Sequence, residues 1–321
     1  MVSYLTEELV KQGHEVTLFA SGDSITSARL VATCDHALRL DKKCLDPLAH
    51  HMLMLEKLSK SISDFDIIHF HIDYLHFPIS RALKLTQLTT MHGRLDLNDV
   101  IPLHREYREM PLISISDAQR TPIPWANWIA TVYHGLSTTQ FTLSDSTDNY
   151  LAFVGRVSPE KGVDRAIKIA QDAGIKLKIA AKIDKADREY FETIIRPLFE
   201  TPIVEYIGEI SDSEKQQFIG GAEALLFPIN WPEPFGLVMI ESLACGTPVI
   251  AYKAGSVPEI IENGKTGFVV ESHQEALSAV KNIKQISRKV CRNSFETRFS
   301  VTRMATDYVK VYESLIKKNR Y

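Results

Sequence analysis

No apolar run in this chain approaches the length of a bilayer-spanning helix, and the N-terminus has no basic start followed by an apolar core. Those absences argue against a helical membrane span and a secretory signal peptide. Cysteine is scarce: Cys34, Cys44, Cys245 and Cys291 are scattered, with no Cys-x-x-Cys spacing. This excludes a cysteine-rich disulfide framework and fits free thiols in a reducing cytoplasm. Excess charge is missing too. The net charge is −3, and the first 147 residues hold more acid than base, so neither nucleic acid nor an anionic membrane is an expected partner. There is no internal repeat and no low-complexity tract. What remains is an ordinary globular composition, 45% hydrophobic and 24% charged, and 321 residues are enough for two domains with a core each.

Short β-rich runs alternate with helical patterns, which predicts an α/β fold of parallel sheets covered by helices. In the first half the pattern gives a helix over Val2–Gln12 ended by Gly13, a strand at Glu15–Ala20 and a helix near Leu48–Ser61. Strands follow at Asp66–His71, Leu88–Met91, Leu112–Ser116 and Trp128–Tyr133. Gly135 to Asn149, rich in Ser and Thr, reads as a linker, so the domains are set at 1–147 and 148–321. The second half restarts with strands at Tyr150–Val154, Leu177–Ala181, Val204–Ile207 and Ala224–Phe227. Helices are expected at Gly162–Ala173, Arg188–Phe199 and Ser213–Gly220, and a last one around Tyr308–Leu315.

The most informative stretch runs from Trp231 to Ala251. Glu233 lies in a Pro-bounded loop, Phe235-Gly236-Leu237 opens a short apolar helix, and Glu241 falls inside it. Gly246 suits the position just past the helix end, Pro248 stops it, and Val249-Ile250-Ala251 reads as a buried strand. The first amides of such a helix lack intrahelical partners and carry the positive end of its dipole, which suits a diphosphate. A second segment, Phe153-Val154-Gly155-Arg156-Val157-Ser158-Pro159-Glu160-Lys161-Gly162, ends a strand between two cations.

Both stretches resemble the retaining glycosyltransferases of the GT-B fold, in particular family four, whose donor-site pattern is Glu, seven residues, Glu, with Phe-Gly after the first Glu. The resemblance covers nearly the whole chain, from Gly13-His14-Glu15-Val16 to the C-terminal helix. It implies two Rossmann-like domains with parallel sheets facing a cleft: an acceptor domain and a donor domain whose terminal helix packs back on the first. It also implies transfer of a sugar from a nucleotide diphosphate sugar to a carbohydrate, lipid-linked or small-molecule acceptor. The sugar nucleotide is a substrate, and neither cofactor nor metal is required. Arg156 and Lys161 would neutralise the departing diphosphate together with the amides at Phe235, Gly236 and Leu237. Glu233 and His92, the latter in Met91-His92-Gly93, would hold the sugar. Glu241 would meet the ribose, and Lys182, Ile183, Tyr206 and Ile207 the nucleoside, with Lys182 standing where relatives more often carry Gly. Ser116 and Asp117 either contact the acceptor or cap the next helix. Two other readings stay open: a nucleotide-sugar epimerase of the same fold, and a non-catalytic nucleotide-sugar binder.

Two patterns are set aside. Asp64-Phe65-Asp66 has the Asp-x-Asp form of metal-dependent transferases but precedes an apolar strand, and His69, His71 and His76 lack the Cys or carboxylate that would complete a zinc spacing. One feature is anomalous. A doubly wound domain begins with a strand and a Gly-rich turn, whereas this chain begins inside the first helix, so the first domain is expected to lack that strand. A misassigned start codon, a shortened chain and a degraded relative are the alternatives.

Overall fold

An amphipathic helix, α1 (Val2–Lys11), opens the chain and buries Leu5 and Leu9. It ends with Gly13 N–H on Val10 O at 2.9 Å and His14 N–H on Leu9 O at 3.1 Å, the paired closure that satisfies its last carbonyls. The computed structural model describes residues 1–319 and divides into two units. Unit 1 holds Met1–Ile115, Arg120–Gly135 and the chain from Val301 on; unit 2 holds Ser116–Gln119 and Leu136–Ser300.

In unit 1, β1 (Thr17–Ser21) pairs in parallel with β2 (Arg29–Cys34), Leu18 opposite Leu30. The sequence pattern did not reveal β2. Parallel neighbours usually need a longer crossover. Here the short link is pinned by Glu7 of α1, which accepts from Thr26 Oγ1 at 2.5 Å and from the Ser27 amide at 3.1 Å. Asp46 caps α2 (Pro47–Ser59), and Leu55 and Leu58 of that helix pack in one cluster with Phe70, Ile68 and Phe19. Then come β3 (Ile68–Phe70), α3 (Phe77–Leu83), β4 (Gln87–Thr90), α4 (Val100–Glu106), β5 (Leu112–Ser114) and β6 (Trp128–Thr131). The strands β3-β4-β5-β6 form a parallel sheet in sequence order. The two sheets stay separate: among the described residues β1 pairs only with β2, and β3 only with β4.

Unit 2 is one parallel sheet of order β12-β11-β10-β7-β8-β9. Its first half is β7 (Tyr150–Arg156), α5 (Val163–Ala173), β8 (Lys176–Lys182) and β9 (Val204–Gly208). The helix expected between β8 and β9 is broken into α6 (Arg188–Tyr190), a π turn at Phe191–Ile195 and α7 (Arg196–Phe199). Pro197 has no N–H to give to the preceding turn, which removes a regular bond where the π turn ends. The second half is α8 (Asp212–Gly220), β10 (Ala224–Phe227), α9 (Leu237–Ala244), β11 (Val249–Tyr252), α10 (Val257–Ile260), β12 (Gly267–Val270), α11 (His273–Asn282) and α12 (Arg288–Arg298). From β7 the order runs outward through β8 and β9, and from β10 it runs the other way through β11 and β12. The switch point therefore lies between β7 and β10. Open α/β sheets bind ligands outside the carboxyl ends of the strands at such a point.

The chain ends in α13 (Val301–Asn319), which belongs to unit 1. Met304, Ala305, Tyr308, Val311 and Leu315 recur at helical spacing and pack with Leu5 and Leu9 of α1 and with Leu88, Ile113 and Val132 of the sheet. A buried polar chain ties the same surfaces: Tyr312 OH to His69 Nδ1 at 2.8 Å, His69 Nε2 to Thr90 Oγ1 at 2.7 Å, and Thr90 Oγ1 to Tyr308 OH at 2.8 Å.

Candidate active site

The loops leaving β7 and β10 meet at the switch point because one residue between them is glycine. Gly162 adopts φ +70°, and a Cβ there would lie 2.2 Å from Pro228 O. The Asn230 amide donates to Glu160 O at 2.9 Å. This close approach sets Lys161 Nζ 2.5 Å from Glu233 Oε2, which also accepts from Trp231 Nε1 at 3.0 Å. The ammonium lies 5.1 Å from the Trp231 ring centre. Both partners are largely covered, at 18% and 12% side-chain exposure, so the pair is only weakly screened by water.

The backbone of the Glu233 loop is held from several sides. Gly255, at φ +53°, lets its turn close on Glu233, whose amide nitrogen and carbonyl oxygen would lie 2.4 and 2.3 Å from a Cβ. The Ser256 amide donates to Glu233 O at 3.0 Å and its Oγ to Phe235 O at 2.8 Å. Ser116 Oγ donates to Pro234 O at 2.6 Å. Sequence reading missed Gly255 and Ser256; their only local signal is a Gly-Ser turn after a strand. It raised an acceptor contact for Ser116 beside the capping alternative. The structure shows the cap: Ser116 is buried and its Oγ accepts from the Gln119 amide at 3.1 Å, while the amides of Asp117 and Ala118 donate to Glu259.

Gly236 precedes α9 and offers no side chain to cap it; Met239 N–H closes on Gly236 O at 3.0 Å, and the amides of Leu237 and Val238 ahead of it remain for a ligand. Phe235 is 2% exposed and packs edge-on against Phe299, so a donor contact at this position is limited to backbone. α9 ends with the Gly246 amide on Leu243 O and the Thr247 amide on Ser242 O, both at 2.9 Å. Glu241, 9% exposed, is paired with Lys215 Nζ of α8 at 3.1 Å. Burial raises its carboxyl above the usual range against the pull of Lys215.

The structure does not gather every expected residue into one cluster. Arg156 engages acids rather than the Lys161–Glu233 pair: Glu160 at 2.9 Å, and Asp184 and Asp187 at 3.8 Å each. Lys182 also meets Asp184, at 2.9 Å. Tyr206 donates its hydroxyl to Ala181 O at 2.8 Å and stacks on Phe199. It and Ile207 remain exposed near the end of β9, and Ile183, just past β8, is half-buried.

His92 belongs to unit 1, just past β4, with its Nε2 2.9 Å from His71 Nδ1 and its ring stacked on His134. Burial pushes His92 down to about 4 and holds His71 and His134 well below the ordinary histidine range, so the three rings are neutral at pH 7. His76 bonds Ser80 and Thr89 and stacks on Phe70. Among the described residues no group of three or more His, Cys, Asp or Glu could hold a metal ion.

The switch point thus bears a half-buried Lys–Glu pair beside a helix start without a side-chain cap. The sequence profile Glycosyltransferase Family 4 matches residues 1–161, and Glycosyl transferases group 1 matches residues 138–294. The chain belongs to the family 4, group 1 glycosyltransferases. The group 1 match contains both Glu233 and Glu241, and the two matches overlap across Arg156 and Lys161. An uncharacterized protein of the cps region of Klebsiella pneumoniae is 29% identical over 51% of this chain and 46% of its own. An uncharacterized glycosyltransferase of Methanocaldococcus jannaschii is 23% identical over 83% of this chain and 79% of its own. The D-inositol 3-phosphate glycosyltransferase of Mycolicibacterium smegmatis is 26% identical, over 56% of this chain and 43% of its own. Among solved structures, sucrose-phosphate synthase of Thermosynechococcus elongatus superposes with TM-score 0.78 at 18% identity, over 99% of this chain and 93% of its own. HepE of Anabaena, solved with UDP and glucose, gives 0.68 at 18% identity, over 89% and 86%. These likenesses show that this family 4 glycosyltransferase has the GT-B fold. No helix among its described residues is long and apolar enough to cross a membrane.

Proposed function

We propose that this glycosyltransferase moves a sugar from a nucleotide diphosphate sugar to its acceptor with retention at the anomeric carbon and without a metal. The observation that carries this reading is the Lys161–Glu233 pair beside the uncapped start of α9. A diphosphate there would meet free amides, a helix dipole and a lysine that can turn from the carboxylate to the phosphate oxygens. Glu233, released from Lys161 and still fixed by Trp231, would then accept from sugar hydroxyls. In this reading the acceptor attacks the face that the diphosphate leaves, and diphosphate oxygens take its proton. HepE, a neighbour in fold, has been solved with UDP-glucose, which supports a sugar nucleotide as donor. The four cysteines are free thiols, which suits a cytoplasmic setting.

The double substitution Arg156→Ala with Lys161→Ala tests the diphosphate site. Each charge-assisted contact contributes about 1.5–3 kcal/mol, so affinity for UDP, GDP or ADP, whichever binds best, should fall by roughly a hundredfold or more. Equal affinity of variant and wild type in calorimetry would remove the assignment. Metal independence has its own test. Activity should persist in excess EDTA and survive Asp64→Ala; loss on chelation with recovery on adding manganese would count against the mechanism.

A further inference from the structure

Glu241 lies in a poor place for a charge. Ile240, Ser242 and Leu243 beside it on α9 are all buried, and its own residue is 9% exposed. An ionised carboxylate there needs a counter-charge or it takes up a proton. The counter-charge comes from α8. Lys215 Nζ is 3.1 Å from Glu241 Oε1 and 3.0 Å from Asp212 Oδ1, the latter on the exposed side of the same helix. The remaining groups near α9 are the Cys245 thiol, whose titration burial and then Glu241 push up, and two arginines of α12 that bond carbonyls at the helix end: Arg292 to Ala244 O and Arg288 to Cys245 O. Lys215 is thus the cation that bonds this carboxylate, and it binds one oxygen. Oε2 of Glu241 has no hydrogen-bond partner among the described residues.

We propose that Lys215 is a positioning residue for the nucleotide: it keeps Glu241 anionic and fixes Oε1, so that Oε2 faces a vicinal diol as a hydrogen-bond acceptor. A carboxylate can take both hydroxyls of a ribose, whereas a protonated acid would spend one oxygen as a donor. The inference rests on the reading that Glu241 meets the ribose, and it adds that this role depends on a lysine 26 residues away in sequence. The titration balance agrees with the geometry. Burial pushes the Glu241 carboxyl up and Lys215 opposes it, while on Lys215 burial is outweighed by Glu241 and Asp212.

The test uses the full chain with Lys215→Met, Lys215→Gln and Lys215→Arg; Gln keeps a polar head should the Met variant fold poorly. Carbon-13 NMR of labelled glutamate follows Glu241 without any ligand. Lowering the pH from 8, Met and Gln should take up a proton on Glu241 at a higher pH than wild type and Lys215→Arg do. Calorimetry with UDP, GDP and ADP and their 2′-deoxy forms gives the second readout. At pH 6.5, Met and Gln should weaken the best ribonucleotide about tenfold or more and recover part of it at pH 8.5, Arg should restore binding, and the 2′-deoxy form should be far less sensitive. A Glu241 titration unchanged by Lys215→Met or Lys215→Gln would overturn the role of Lys215. A wild type that binds ribo and 2′-deoxy nucleotides alike would instead overturn the ribose reading on which it stands.

Discussion

At the scale of single residues, the site depends on side chains that are absent as much as on those present. Gly162 bears no group that could touch a ligand, yet its missing Cβ is what lets the Lys161 turn reach Pro228. Gly162→Ala forces a left-handed backbone on an L-residue, about 1–2 kcal/mol, and drives a methyl into a carbonyl at 2.2 Å. The turn must move, and Lys161 moves with it. Unit 2 should lose roughly 2 kcal/mol or more in urea melts, and nucleoside diphosphate affinity should fall together with turnover. A variant with wild-type stability and affinity would show that the close packing of the two loops does not position Lys161. Sequence marks Lys161, Glu233 and Glu241 readily, because they sit at fixed spacing around Pro, Gly and an apolar helix. It does not mark their supports. Lys215 is 26 residues from Glu241, and Ser116 is 118 residues from Pro234, with nothing local to announce either contact.

At the scale of elements, the strands most legible in sequence are those buried on both faces, such as β4, β5 and β10, whose runs are apolar or β-branched apart from Gln87 and Ser114. β2 begins on an exposed arginine and half shows itself to water, and β12 is four residues beginning at Gly267, so neither has a clear period. α3 and α4 are seven residues each, too short for a helical stripe to stand out. The carboxyl ends of β3 and β4 carry a liability that periodicity does not show. Burial pushes His69 and His76 down to about 3 and His92 to about 4, against an ordinary 6.5. The unfolded chain therefore binds protons near pH 6.5 that the folded unit refuses until pH 4 or below. Stability must fall as pH drops below about 6.5, by on the order of 1 kcal/mol per pH unit for each such histidine. Urea midpoints of unit 1 at pH 7.5, 6.5 and 5.5 should decline in that order, with most of the loss below 6.5. A flat midpoint over that range would mean that these rings take up protons in the folded state as readily as in the unfolded one.

At the scale of the whole molecule, the alternation of strands and helices made the α/β class with parallel sheets readable, and the residues after β7 and β10 made the donor half specific. Strand order was not readable. The switch point between β7 and β10 follows from which edges pair, and pairing joins residues 73 positions apart, as in Ala224 with Leu151. The two units differ in how their sheets are completed: unit 2 has six strands in one sheet, whereas unit 1 divides its six between a pair and a sheet of four. Strands β1 and β3 each present an edge that no other described strand satisfies, so less backbone hydrogen bonding backs the apolar packing of α2 upon them. Unit 1 should therefore melt first in calorimetry, and the residues proposed for the diphosphate all lie in the unit that melts second. A nucleoside diphosphate at a hundred times its Kd stabilises the state that binds it by about 2.7 kcal/mol. For a domain of this size, about 2–4 °C per kcal/mol, the upper transition should rise by roughly 5–11 °C while the lower one stays in place. A shift confined to the lower transition would place the nucleotide in unit 1 and refute the assignment of Lys161 and the α9 amides. A single transition, rising as a whole with ligand, would show that the halves unfold as one and that the split sheet does not weaken the first.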